Sequence, residues 1–416
     1  MRFVTDLASH AVDPRTTRQA APRAAFACMA ALAVALGVGR FAFTPLLPLM
    51  LRGGALDIQH GGWLASLNYA GYFLGALTCV ALRWDAARVV KGGLVATVVL
   101  VLAMGVTSHF WLWAIVRFGA GVVSAWTFVF ASQWGLRRLA ELDANGWSGV
   151  IFAGPGIGIA ATGLLVSAFG AHDASTGWVG FGILSAILTA CVWRTFASTP
   201  SDKGATAPNA GHVARAAPAT HSQPSGDERR PEHRADAAWL VLLYGVPGFG
   251  YIITATFLPV IARSALPAGS AWPDLFWPMF GVALVVGALA GARLPAHWDN
   301  RTLLAGCYVL QALGIGLGIV WPTAGGFAIG SMLIGLPFTA ITMFAMREAR
   351  RLRGDNAAGL MGFATAAYGL GQIVGPLVAA PIAAHTGSFS WALWLAAGAL
   401  LGGATGLIAV ASKRRH

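Results

Sequence analysis

Residues 37–50 read GVGRFAFTPLLPLM and form the outer half of an apolar segment that begins near residue 25. The segment holds Arg40 with no carboxylate nearby in sequence, together with Gly37, Gly39, Pro45 and Pro48. A charge deep in a membrane-spanning helix costs several kcal/mol on insertion scales, so it faces a protein interior or a wet cavity. Gly and Pro thin and bend such a helix, which a moving gate can use. Arg40 is therefore the first candidate functional residue.

The rest of the chain supplies the context. It has 416 residues, 56% of them hydrophobic and only 11% charged, too few charges to cover a soluble surface. Apolar runs at 25–50, 61–82, 91–107, 110–134, 148–169, 177–196, 237–262, 274–294, 302–321, 325–346, 357–384 and 388–411 are each long enough to cross about 30 Å of hydrocarbon. The expected fold is an all-α polytopic membrane protein of twelve transmembrane helices. The net charge of +12 resides in short connections, which points to membrane orientation and not to nucleic acid. With the N-terminus inside, the outer loops hold only Arg52 and Arg263 of the 28 Lys and Arg, and the membrane interior only Arg40 and Arg117. The other 24 lie in inner tails, loops and helix ends, so both termini are expected in the cytoplasm. Cys28, Cys79, Cys191 and Cys307 lie in apolar runs without CxxC spacing and read as small packing residues.

Residues 1–24 read as a cytoplasmic tail without the early apolar core of a signal peptide, and 412–416 as a basic tail. Residues 197–236, rich in Ala, Pro, Ser and charge, read as a disordered linker between two six-helix bundles, 25–196 and 237–411. The bundles repeat one another. Gly75-Ala-Leu and Trp84-Asp85 recur as Gly287-Ala-Leu and Trp298-Asp299, Arg137-Arg-Leu as Arg350-Arg-Leu, and Leu47-Pro48 as Leu258-Pro259, at offsets of 211 to 214. Six helices per half make the repeats parallel.

A parallel six-plus-six repeat with a long central loop resembles the major facilitator superfamily. The stretch Arg83-Trp-Asp85-Ala-Ala-Arg88-Val-Val-Lys91 resembles its loop motif after helix 2, with Ala81 and Ala86 where glycine and a basic residue are usual. Arg117-Phe-Gly-Ala-Gly121 resembles its helix-4 motif, and Gly154-Pro155-Gly156-Ile-Gly158 the Gly-Pro motif of antiporters. The opening GVGRFAFTPLLPLM, with Trp63-Leu-Ala-Ser-Leu-Asn68-Tyr69-Ala-Gly71-Tyr72 and the run from Tyr244 through Tyr251 to Pro259, resembles the YbfB/YjiJ family of that superfamily. The resemblance implies a bacterial inner-membrane permease working by rocker-switch alternating access, with a cavity lined by helices 1, 4, 7 and 10. It also implies gating contacts by Asp85, Arg88, Asp299 and Arg301 at the inner loops and by Gly154 and Pro155 in helix 5.

Arg40 and Arg117 stand about 15 and 10 Å below the outer ends of helices 1 and 4. One reading is a pair of anion-binding guanidiniums. The other is structural: Arg117 donating to backbone carbonyls freed around helix 1, and Arg40 as a satisfied hydrogen-bonder between helices; in the anion reading, water or backbone carbonyls satisfy Arg40 when no substrate is bound. All 16 acidic residues map to tails, loops or helix ends, leaving no deep carboxylate to attract a cation. Asp57 and Asp274 at the outer mouth are the fallback proton sites. Asn68 and Tyr72 share a helix face at i, i+4. Tyr251 is the repeat counterpart of Arg40, so both should project to the central axis, with Tyr244 a further candidate. The expected function is secondary transport of a small organic anion. Export of hydrophobic or drug-like compounds and a non-transporting membrane sensor are the alternatives. No enzyme motif, metal cluster or cofactor site is present in the sequence. The expected partners are a small-molecule substrate, a coupling proton and membrane lipid, and no nucleic acid.

Overall fold

The computed structural model describes residues 14–196 and 231–412, apart from positions 55, 80, 83, 170–172, 292, 296, 355 and 356. Among them there are helices and no strands. The first half runs α1 (Pro14–Leu32), α2 (Phe43–Arg52), α3 (Ile58–Thr78), α4 (Ala86–Val106), α5 (Phe110–Glu141), α6 (Ser148–Phe169) and α7 (Ala174–Val192). The second runs α8 (Pro231–Ala265), α9 (Trp272–Gly291), α10 (Asn300–Val320), α11 (Ala324–Gly335), α12 (Phe338–Arg353), α13 (Ala357–Thr386) and α14 (Ser390–Ser412). These make twelve spans, because α1 with α2, and α11 with α12, are single spans with a break.

Eleven spans are long and apolar enough to cross a membrane by composition. The remaining one, α3, has 21 residues and a length of about 32 Å, but carries Gln59, His60, Ser66 and Asn68. Several span boundaries differ from the sequence reading, α5 and α12 running on to Glu141 and Arg353, past the expected ends at 134 and 346. Helix begins at Pro14 inside the expected tail, and at Pro231 inside the expected linker. Residues 197–230 lie outside the described residues. Cys28, Cys79 and Cys307 are buried as expected, whereas Cys191 is exposed.

The first span shows why GVGRFAFTPLLPLM matters. Ala33–Val38 winds as a π-helix, Gly39–Ala42 is a turn, and α-helix resumes at Phe43. The amides of Gly39 and Phe41 reach back five residues, to Val34 O and Leu36 O. Pro45 has no amide to offer, and Thr44 N bonds to Phe41 O at 3.2 Å, so Arg40 O loses its helical donor. The π segment lies against α6. A Cβ on Gly37 would stand 2.4 Å from Gly158 Cα, so only two glycines permit this approach. Gly154 meets the same span at Met29 O, while Gly156 faces α9 of the other half.

The two halves share one apolar core at one end and keep separate cores at the other. The shared core joins Phe41, Phe43, Leu46, Leu47 and Leu64 to Tyr251, Phe257, Leu258 and Trp277. On the side of Pro14 and Ser412, one cluster contains Cys28, Phe130, Trp134 and Ile151, and another contains Leu240, Ala349, Leu352 and Met361. This conformation is sealed on the opposite side.

Candidate functional site

The breaks in the first and tenth spans lie where the halves meet, and the polar side chains gather there. Arg40 is 5% exposed. Its Nη2 donates to Gln372 Oε1 at 2.8 Å, and its guanidinium lies 3.9 Å from the Tyr72 ring centroid and 5.1 Å from that of Tyr69. Its Nε has no hydrogen-bond partner, and no carboxylate pairs with it among the described residues. Gln372 also donates to Tyr251 Oη, so one amide links Arg40 to its repeat counterpart. Gln372 comes from α13 and was not a sequence candidate; a single amide inside the apolar run AAYGLGQIVGPL was the available signal. The partners of Arg40 are thus a side-chain amide and an aromatic face.

The aromatic wall continues through the second half. The Tyr251 ring stacks on Tyr368 at 6.0 Å and meets Phe338 edge-on at 5.0 Å. Tyr244 stacks on Tyr368 at 5.0 Å and bonds Thr342 Oγ1 at 3.0 Å. Phe338 starts α12 just after the break at Leu336–Pro337, so the break in the tenth span delivers this ring to Tyr251.

Arg117 is occupied elsewhere. Its Nη1 and Nη2 donate to Gly39 O at 3.3 Å and Arg40 O at 3.1 Å, the carbonyls in the turn of the first span. Asn68 is also turned away from Arg40, donating from Nδ2 to Arg117 O at 2.8 Å across the α3–α5 seam. That seam is tight: a Cβ on Gly71 would stand 2.0 Å from Phe118 O. Tyr72, one turn on, goes under Arg40, so the i, i+4 pair divides its two members between different neighbours. A cavity of about 560 Å³, lined by Arg52, Trp113, Asp173 and Trp178, lies apart from the cluster at the sealed end.

The loop residues cap helices. Asp85 accepts from Arg88 N at 2.8 Å, and the Arg88 side chain is exposed. Asp299 accepts from Arg301 N at 2.8 Å. Arg301 itself is 4% exposed and pairs with Glu348 at 2.8 Å and Asp236 at 3.0 Å. Glu348 is 1% exposed, a buried carboxylate near the C-terminal end of α12 that sequence position alone presented as a helix-end charge. At the sealed end, Asp274 pairs with Arg263, and Asp57 caps α3 while bonding His60 Nδ1 at 2.8 Å. Slight burial raises the Asp57 carboxyl, but the hydrogen bonds and charge of His60 outweigh it and hold the group below its ordinary value.

Residues 32–408 match the family described as uncharacterised MFS-type transporter YbfB. No curated protein matches in sequence. Among solved structures, the nucleoside transporter NupG superposes with a TM-score of 0.69 at 12% identity, covering 94% of this chain and 98% of that one. A single-aspartate variant of the same transporter gives 0.69 at 15% identity, covering 93% and 99%. At such identities the likeness establishes the fold: two parallel six-helix repeats of the major facilitator type.

Proposed function

This chain belongs to the YbfB family of MFS-type transporters, and from that premise we propose that it carries a small organic anion bound at Arg40. It is a multi-pass membrane protein and a secondary transporter, not an enzyme. The observation that carries the anion reading is the state of Arg40. It is buried, has no carboxylate partner among the described residues, and leaves Nε unbonded beside a neutral amide acceptor. A carboxylate engaging Nε and one terminal nitrogen would meet both needs in a bidentate pair.

Other residues take supporting roles. Gln372 and the face of Tyr72 hold Arg40 between substrates, while Tyr244 and Tyr251 wall the site. Arg117 and Asn68 brace the turn of the first span and the adjoining helix. The bundles 25–196 and 237–411 rock against one another, with both termini on the cytoplasmic side of a bacterial inner membrane. Asp85 and Asp299 latch the inner loops when that side closes; with the cores parted there, each caps its own helix. Gly154 and Pro155 let α6 slide on the first span. A coupling proton would bind outside the cluster, whose described members carry no carboxylate.

The test is a thermal-shift screen of purified protein against small carboxylates, with neutral nucleosides and hydrophobic cations as comparison sets. A carboxylate that stabilises the protein is then followed by flux into proteoliposomes with and without a proton gradient. Arg40→Gln should weaken its binding by about 3 kcal/mol, roughly 150-fold, with Arg40→Lys between the two. Unchanged affinity in a folded Arg40→Gln protein, or a cationic substrate, sinks the proposal.

A further inference from the structure

A second built feature lies on the outside of the first half, remote from Arg40. Between α4 and α7, on the side of Pro14 and Ser412, runs a groove of about 440 Å³. Its walls are apolar, from Val95, Val98 and Val99 on α4 and Ala186 and Ala190 on α7. At its inner end it is closed by Trp193 and Arg194. The ammonium of Lys91, which is part of the loop-motif stretch, lies 5.2 Å from the Trp193 ring centroid. Thr189, only 6% exposed, lines the same groove, and its buried hydroxyl has no hydrogen-bond partner.

We infer that this groove is a binding site for an anionic phospholipid, its acyl chain along the valines and its phosphate between Lys91, Arg194 and Thr189. Exposed valines alone would describe any lipid-facing helix. The distinguishing features are concavity, two cations gathered at the groove's polar end, and a buried hydroxyl with nothing to bond. Neither α4 (Ala86–Val106) nor α7 (Ala174–Val192) contains an Asp or Glu to neutralise those cations. An indole beside them sits at the headgroup level, where amphipathic rings are favoured. Charge therefore selects the headgroup and shape accepts the chain. The site is independent of the Arg40 reading, since it shares no residue with the central cluster.

The experiment uses full-length protein in detergent, titrated with phosphatidylglycerol or with phosphatidylcholine, and counts retained lipid by native mass spectrometry. Phosphatidylglycerol should be retained preferentially. Lys91→Gln with Arg194→Gln should weaken that retention about 25-fold, roughly fivefold per cation. Ala190→Trp keeps both charges but fills the groove, and should lower retention of both lipids. Arg293→Gln removes a cation from an exposed site on the second half and should change nothing. Melting temperatures near wild type qualify the variants as folded. Equal retention of the two lipids by wild type, or equal losses from Arg293→Gln and the double variant, would overturn the site. Full displacement of phosphatidylglycerol by inorganic phosphate at millimolar concentration would overturn the lipid and leave a free-anion site.

Discussion

Two buried arginines on neighbouring helices should respond oppositely when replaced by methionine. Arg117→Met removes two charged donors, to Gly39 O and Arg40 O, each worth about 1.5–3 kcal/mol. The gross loss is therefore about 3–6 kcal/mol. Against it stands the relief of no longer holding a guanidinium in the membrane interior, about 3 kcal/mol on insertion scales. The net expectation is a destabilisation of about 1.5 kcal/mol, the middle of a range of about 0–3. Arg40→Met gives up one bond, to Gln372, and one close aromatic face, together about 3 kcal/mol. The same relief cancels that loss, so stability should stay within about 0.5 kcal/mol of wild type. Equilibrium unfolding in mixed micelles, followed by fluorescence of the 16 tryptophans, measures both. Substrate affinity of the folded variants completes the contrast: Arg117→Met keeps most of it, and Arg40→Met loses it. An Arg117→Met protein as stable as wild type but unable to bind would refute the division between brace and ligand.

The α3–α5 seam predicts that Gly71→Leu parts two helices and costs about 1–3 kcal/mol, whereas Gly92→Leu, where a Cβ meets open space, costs nothing measurable. Both are read by melting temperature, and equal melting would contradict the close approach. Glu348→Gln keeps the shape but leaves Arg301 with Asp236 as its remaining carboxylate, beside the Val410 carbonyl; breaking a buried pair costs about 3–5 kcal/mol, reduced here by the remaining partners to about 2 kcal/mol. A thermal shift of zero would show that the network is solvated. The lowered Asp57 carboxyl adds stability above its unfolded pKa of about 3.9, which disappears as pH falls through the folded value below that. Hydrogen exchange at the His60 amide should hence stay slow at neutral pH and lose protection only in acid; protection lost between pH 7 and 5 would contradict the cap.

The spans were legible because a bilayer demands long apolar runs, and the constant offsets of 211 to 214 exposed the repeat. The bend in the first span was legible from Gly37, Gly39, Pro45 and Pro48, but not its π winding, which depends on Gly158 arriving from α6. That Tyr251 stands toward Arg40 followed from the repeat. What joins them did not, because Gln372 has the apolar Ile159 as its repeat counterpart. Symmetry cannot announce a residue that breaks it. Glu348 and Asp236 were hidden for another reason. Composition marks a charge near a helix end as solvated, and only the packed neighbours reveal that Arg301 has drawn both carboxylates inward.

The cluster around Arg40 is also part of the seam between the halves, and this bears on how binding couples to movement. On the sealed side the halves are tied by Thr44 Oγ1 to Ala255 O at 2.9 Å, Ser66 Oγ to Ile373 O at 2.8 Å, and Tyr69 Oη with Thr256 Oγ1 at 3.0 Å. Arg40 to Gln372 is a fourth tie. Such neutral bonds contribute about 1 kcal/mol each, so three ties and a shared apolar core resist opening, and no single one decides it. Only the fourth lies at a residue that an anion would claim. A carboxylate that takes the Nη2 hydrogen now given to Gln372 displaces that amide, which frees it and Tyr251 together from Arg40. The ligand's differential contact with the two states is then the exchange of one inter-half bond for one ligand bond, and an equilibrium can be shifted only by such a difference. A ligand that merely filled space beside the tyrosines would leave all four ties in place and would bind without biasing the halves.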